Sequence, residues 1–263
     1  MVLPPAAPPN DEIDRLALTA RPAGRPAGYQ SWRHLTFLHW RVEPEVVAKT
    51  LPAGLELDTH DGAAWIGLVP FLMTGVRPRW APAVPGVSTF PETNVRTYVT
   101  RRNARGEREP GVFFYSLDAA KWLAVAIART AWRLPYFRAA MTVTRDGDRT
   151  RYETRRLWPG PRGAGGLIEV AATGPAGAAA PGTLDHFLAE RYLLFTPARG
   201  RILRGQVHHA PYPLRPARVE RLSDSLVAAA GFPGLSGASQ EAGRPPDHVR
   251  SSDGVDVEVF PLS

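Results

Sequence analysis

The run Phe90-Pro91-Glu92-Thr93-Asn94-Val95-Arg96-Thr97-Tyr98-Val99 has the two-residue period of a β-strand, and its polar residues are oddly placed. Successive strand side chains point to opposite faces. Glu92, Asn94 and Arg96 therefore share one face, and Thr93, Val95 and Thr97 share the other. An acid, an amide and a base in a row suit either the wet face of an edge strand or the polar floor of a pocket inside a β-structure. The pattern alone leaves both open.

The flanking chain is also mostly strand. Tyr29–Val42 is dense in aromatics. Leu55–Asp58 and Ala63–Phe71 flank Asp61-Gly62, a pair that tolerates the positive φ of a tight hairpin turn. Phe137–Thr144 and Thr150–Leu157 flank Asp146-Gly147 in the same way. Strands are also expected at Val95–Arg102, Gly111–Leu117, Leu167–Thr173, Arg201–His209, Arg215–Leu222 and Val255–Phe260, with proline-rich loops at 77–88 and 231–247. Helices are expected at Pro44–Leu51, Ala119–Arg133, Leu184–Tyr192 and Asp224–Ala230, the last capped by Ser223. The second is apolar nearly all round, so it should be the most buried helix. No βαβ alternation appears. The expected class is therefore α+β, mostly antiparallel β, as a barrel or two-sheet domain with a few helices. Residues 1–28, rich in Pro and Ala, read as a disordered tail, and 29–263 as one domain.

Composition narrows the chemistry. There is no cysteine among the 263 residues, so disulfides and thiolate metal sites are excluded, which fits a cytoplasmic protein. Met1–Pro9 lacks the basic and apolar regions of a signal peptide, and the apolar run Trp122–Ala128 is too short to cross a bilayer. The net charge is +7, yet it comes from scattered arginines, with Lys49 and Lys121 the only lysines. No basic stripe with interleaved aromatics appears, which argues against nucleic acid as a partner. The glycines at 160, 163, 165 and 166 do not form a phosphate-binding loop, and no Gly-x-Ser-x-Gly elbow is present. His208 and His209 would point to opposite strand faces, so they do not chelate. No metal or cofactor is expected, and a homo-oligomer is left open. Ser116 and Asp118 share a strand face just before the long helix. Asp118 suits the cap of that helix, or the same cavity as Glu92 and Arg96. Tyr136 follows Pro135, where a phenol can be held rigidly.

Several stretches resemble the uncharacterised bacterial YqjF-like family: Leu38-His39-Trp40-Arg41-Val42, Leu51–Asp58, Asp61–Phe71, Phe90–Val99, Phe114–Ala119, Leu184–Tyr192, Val207-His208-His209 and Gly254-Val255-Asp256-Val257. The resemblance spans roughly 29–260, in order. That family is remotely similar to acetoacetate decarboxylase, which implies a barrel-like fold around an internal cavity. Such decarboxylases use a Schiff-base lysine in a Gly-x-Pro-Lys-Lys context. The matching segment here is Leu134-Pro135-Tyr136-Phe137, so Tyr136 stands where the lysine would be, and Glu92 corresponds to the pocket glutamate. One departure concerns Val249–Asp253, where the family has an aromatic before its last strand.

The expectation is thus a small-molecule cavity lined by Glu92, Asn94, Arg96, Ser116, Asp118 and Tyr136. As an enzyme it would be a lyase or hydratase-like catalyst on an oxo acid, without the Schiff-base lysine. Arg96 would hold a carboxylate or enolate, and Glu92 or Tyr136 would move the proton. The alternative is a non-catalytic binding protein for a small apolar or acidic metabolite.

Overall fold

The computed structural model describes residues 13–198, 200–236 and 243–263. Its strands are β1 (Gly28–Val42), β2 (Glu56–Leu57), β3 (Ala64–Pro78), β4 (Phe90–Arg102), β5 (Arg108–Ala119), β6 (Tyr136–Asp146), β7 (Arg149–Trp158), β8 (Gly165–Ala172), β9 (Leu193–Ala198), β10 (Arg201–His209), β11 (Leu214–Asp224) and β12 (His248–Val259). The helices are short: α1 (Pro44–Ala48), α2 (Trp122–Ala131), α3 (Leu184–Ala189) and α4 (Leu226–Ala229). None among the described residues is long and apolar enough to cross a membrane.

Both expected Asp-Gly turns form. Asp61 and Gly62 have φ of 49° and 70°, the signature of a tight I′ turn. Gly147 has φ 57°, and Asp146 pairs with Arg149 across the turn. The strand before Asp61 does not pair as a hairpin, however. Only the bridge His60–Ala63 closes that turn, and β2 pairs with β4 instead.

Strands β12, β1, β3, β4 and β5 form a continuous antiparallel wall. Both ends of the wall fork. In β5, Val112 and Phe113 pair with β9, while Leu117–Ala119 pair with β6; both pairings are parallel. In β12, Arg250–Ser252 pair with β11, and Val257–Val259 pair with β10. One arm (β6, β7, β8, β11) and another (β9, β10) each join the two ends, so the sheet closes on itself as a barrel of mixed pairing. Closure removes the edges that an open sheet would expose.

The wall separates two cores. Leu35, Phe37, Val69, Phe71 and Leu117 face one; Leu38, Trp40, Ile66, Leu68 and Val95 face the other. Being covered on both sides explains why Ala64–Phe71 is apolar without alternation. Each wholly buried side chain such as Ile66 or Leu68 stabilises by about 1.5–3 kcal/mol. That margin lets the neighbouring strand β4 bury polar groups.

Three expectations about helices are corrected. Ala119 belongs to β5, α2 starts only at Trp122, and Trp122 is 61% exposed. Val125 faces the core, and the burial expected at Leu123 and Ile127 lies outside the described residues; in α3, His186, Phe187, Leu188 and Ala189 are all enclosed. That helix ends at Ala189, short of Tyr192. α4 begins at Leu226 after Ser225, and the carboxylate of Asp224 at the end of β11 accepts from the Leu226 and Val227 amides; Ser223 does not cap it. Ahead of β1, Arg15 forms a two-bond pair with Asp58 and Arg21 reaches Glu258, while residues 1–12 of the expected tail lie outside the described residues.

Candidate active site

Strand β4 lies between β3 and β5, so its polar face is interior and the edge-strand alternative falls. Glu92 through Thr100 are buried without a break. Tyr136 enters the same face because β6 runs parallel to β5, with Tyr136 opposite Leu117. Its hydroxyl donates to Glu92 Oε2 at 2.9 Å. Burial pushes the Glu92 carboxyl up to about 8; the Tyr136 hydrogen bond opposes this and the charge of Asp118 adds to it. Glu92 therefore holds a proton at neutral pH, and burial drives the Tyr136 phenol well above its ordinary range.

Arg96 is the unusual member of the strip. Three arginines are buried among the described residues: Arg96, Arg156 and Arg191. Arg156 pairs with Asp118 at 2.7 Å and Arg191 with Asp58 at 2.8 Å. No described carboxylate lies within ion-pair distance of Arg96. Its guanidinium donates to the Leu188 carbonyl at 2.9 Å and sits 5.7 Å from the Phe37 ring centroid and 5.6 Å from that of Tyr98. Its Nε has no protein partner. The stem fits because residue 67 is glycine: a Cβ there would come within 3.0 Å of the His39 ring and 3.4 Å of Arg96 Cγ. Burying a charge without a counter-charge costs several kcal/mol, so this arrangement favours an anion beside it.

An aromatic wall stands nearby. Tyr212 packs edge-on to Phe37 at 5.3 Å and against His209 at 4.7 Å, and His209 lies 5.7 Å from Trp32. Asn94 Oδ1, His209 Nε2 and Trp32 Nε1 are buried with no protein partner. Burial lowers His209 to about 4, so it is neutral. Glu190 is buried too, but its carboxylate is occupied by the Tyr192 hydroxyl at 2.7 Å and the Tyr212 amide at 2.9 Å.

The structure thus brings Glu92, Asn94, Arg96 and Tyr136 to one face. It places Ser116 and Asp118 on the other. Asp118 is paired in register with Thr93, so it shares the opposite face of the wall, where Arg156 grips it through two hydrogen bonds of 2.8 and 2.7 Å. Ser116 is paired with Val95 on that same side. Asp118 neither caps a helix nor lines the Arg96 site. His208 and His209 do point oppositely, with only His209 buried. His39, Tyr98, His209, Tyr212 and Trp32 were not foreseen. Tyr98 alone had a signal, being the next residue on the Glu92–Arg96 face.

Where β5 leaves β9 for β6, an open groove of about 530 Å³ runs past Phe114, Arg129, Arg133, Leu134, Phe195 and Thr196. It does not include the polar strip. Phe114 and Leu134 line it and also belong to the hydrophobic cluster that holds Tyr136.

The raised Glu92 carboxyl has a consequence for stability. Between its ordinary 4.5 and about 8, the folded chain holds a proton that the unfolded chain has lost. Stability contributed by the neutral Glu92 is present below that window and lost as pH rises through it. Glu92→Gln removes the dependence. Urea unfolding should show the variant gaining on the parent by a few kcal/mol between pH 5 and pH 8.5. A constant difference across that range would mean Glu92 is ionised in the fold.

Residues 29–256 match the DUF2071 family, described as an uncharacterized conserved protein. The chain is 38% identical over 206 residues to the uncharacterized protein YqjF of Bacillus subtilis strain 168, covering 77% of this chain and 81% of that one. An acetoacetate decarboxylase-like enzyme from Sphingomonas wittichii RW1 superposes with a TM-score of 0.58 at 14% identity, covering 91% of this chain and 93% of that one. The acetoacetate decarboxylase of Legionella pneumophila gives 0.55 at 14% identity, with 93% and 92% covered. The enduracididine biosynthesis enzyme MppR, complexed with the condensation product of pyruvate and imidazole 4-carboxaldehyde, gives 0.54 at 15% identity, with 97% and 95% covered. The fold is therefore that of the acetoacetate decarboxylase-like proteins.

Proposed function

The chain belongs to the DUF2071 family of uncharacterized conserved proteins, and from that premise we propose that its interior strip binds an oxo acid and acts on it as a lyase or hydratase without a Schiff base. The observation that carries this reading is Arg96, a buried guanidinium with no carboxylate partner among the described residues. Arg96 holds the substrate carboxylate with its free donors. Glu92, neutral at pH 7, gives a proton to the oxygen or carbon that gains charge, and the Tyr136 hydroxyl then steadies the carboxylate left behind. In the reverse half-reaction Glu92 takes the proton back. Glu92 and Arg96 are four residues apart on one strand, about 13 Å at ~3.3 Å per residue. An elongated oxo acid spans them better than pyruvate. The complexes of MppR with pyruvate and with a condensation product of pyruvate support the ligand class by analogy of fold alone.

Calorimetric titration with 2-oxo acids of increasing length tests the reading, with product analysis by NMR. Saturable binding that strengthens with length is expected, and turnover of at least one bound acid. Binding without turnover would favour the non-catalytic alternative. No binding by any of them would overturn both.

The Schiff-base route should be closed. Lys49 is exposed on the turn after α1, and Lys121 is half-buried just ahead of α2. Neither lies on the Glu92–Arg96 strip. Borohydride treatment in the presence of pyruvate or acetoacetate should leave the intact mass unchanged. A reduced adduct that disappears in Lys121→Ala would make the protein a lysine-dependent enzyme.

A further inference from the structure

Four side chains form a hydrogen-bonded row from the Arg96 site to the surface. Tyr98 Oη lies 2.7 Å from His39 Nε2, His39 Nδ1 lies 3.1 Å from His248 Nδ1, and His248 Nε2 lies 2.6 Å from Asp185 Oδ1. Tyr98 and His39 are wholly buried, whereas the Asp185 side chain is 28% exposed. The row crosses from β4 through β1 and β12 to α3.

Proton accounting assigns every member. The Tyr98 hydroxyl has one hydrogen, and it donates this to the Leu188 carbonyl at 2.9 Å. His39 must therefore donate from Nε2 to the Tyr98 oxygen. Burial, with Arg96 and His248 nearby, keeps His39 neutral, so its Nδ1 carries a lone pair. His248 must then donate from Nδ1. Its Nε2 faces the Asp185 carboxylate, which accepts, so Nε2 also carries hydrogen. The assignment makes His248 an imidazolium held by Asp185, and Arg250 holds the same carboxylate at 3.0 Å. The other charged groups facing the row are Arg96 and Arg191, 5.6 and 4.9 Å from the Tyr98 ring centroid.

We propose that Tyr98 is a second proton donor of the interior site, supplied by the His248 imidazolium through His39. The row has one alternative direction. Tyr98 gives its hydrogen to a ligand oxyanion and takes the Nε2 hydrogen of His39, which in turn takes the Nδ1 hydrogen of His248. One proton has reached the ligand, His248 has become neutral, and the Tyr98–His39 and His39–His248 bonds survive with their directions reversed, while His248 still donates to Asp185 and the Leu188 carbonyl keeps the Arg96 guanidinium as its donor. The reverse transfer reloads His248. In this scheme Tyr98 touches the substrate, while His39, His248 and Asp185 act through it. The proposal rests on the oxo-acid reading only for what receives the proton; the coupled row itself does not need a ligand.

Nitrogen-15 NMR of histidine-labelled protein between pH 5 and pH 10 tests it without any substrate. At low pH His248 should carry hydrogen on both nitrogens while His39 carries it on Nε2 alone. When His248 loses its Nδ1 hydrogen, His39 should switch to the Nδ1–H form in the same step and with the same midpoint. A His39 that keeps one tautomer while His248 titrates, or a His248 that is neutral at pH 5 in the parent, would overturn the proposal. Failure of the oxo acids to bind, with the joint step intact, would remove the functional reading and leave the row standing. Binding with a fixed His39 would remove the row alone.

Discussion

Arg96→Met should lose oxo-acid binding by about 100-fold and, in the same variant, raise stability by about 1–3 kcal/mol. The two effects have opposite signs because one group causes both. The guanidinium is buried, hydrogen-bonded through one nitrogen to Leu188 and without a described counter-charge. Methionine keeps an unbranched stem that can lie along Gly67 and His39, and it brings no charge to desolvate. The Leu188 carbonyl keeps the Tyr98 hydroxyl as a donor, so no acceptor is left bare. Ligand affinity falls because a charge-assisted pair to a carboxylate is the strongest contact this strip can offer. Calorimetric titration and urea unfolding of parent and variant measure both effects. A variant that unfolds more easily than the parent would show that Arg96 is a structural group. Stability sacrificed for a binding charge is the ordinary trade at functional sites.

Asp118→Ala should be the most damaging of the substitutions considered, costing about 3–5 kcal/mol. Its carboxylate and the Arg156 guanidinium are both essentially without solvent contact, and Arg156 also lies 3.7 Å over the Phe137 ring. Removing the acid leaves an uncompensated buried cation between β5 and β7. Replacing both, as Asp118→Leu with Arg156→Met, should recover most of the loss, because the desolvation cost leaves with the pair. Urea midpoints of the two single variants and the double variant give the coupling directly. A double variant as unstable as Asp118→Ala would mean that the cost comes from packing and not from charge.

Several features are determined by residues close together in the chain. The Asp-Gly turns follow from backbone sterics, in which only a few residue types accept positive φ. The common face of Glu92, Asn94, Arg96 and Tyr98 follows from the two-residue strand period. The resemblance of long stretches in order carried the fold class, since the strand count alone would have suited many β architectures.

Tertiary structure decided which face of each strand meets which partner. Whether the polar face of β4 was wet or enclosed depended on β3 and β5 pairing on its two sides and on the arms folding over the wall. Asp118 follows the same local period as Glu92, yet the antiparallel register with Thr93 sends it to the opposite core. His39 and His248 stand 209 positions apart and meet only because β1 and β12 pair along most of their length. The apolar run that opens α2 marked Trp122 for burial, yet it lies at the surface. Side-chain direction is set by local covalent geometry, which the order of residues specifies. Burial and pairing arise from contacts between segments distant in the chain, and no period within one segment specifies those.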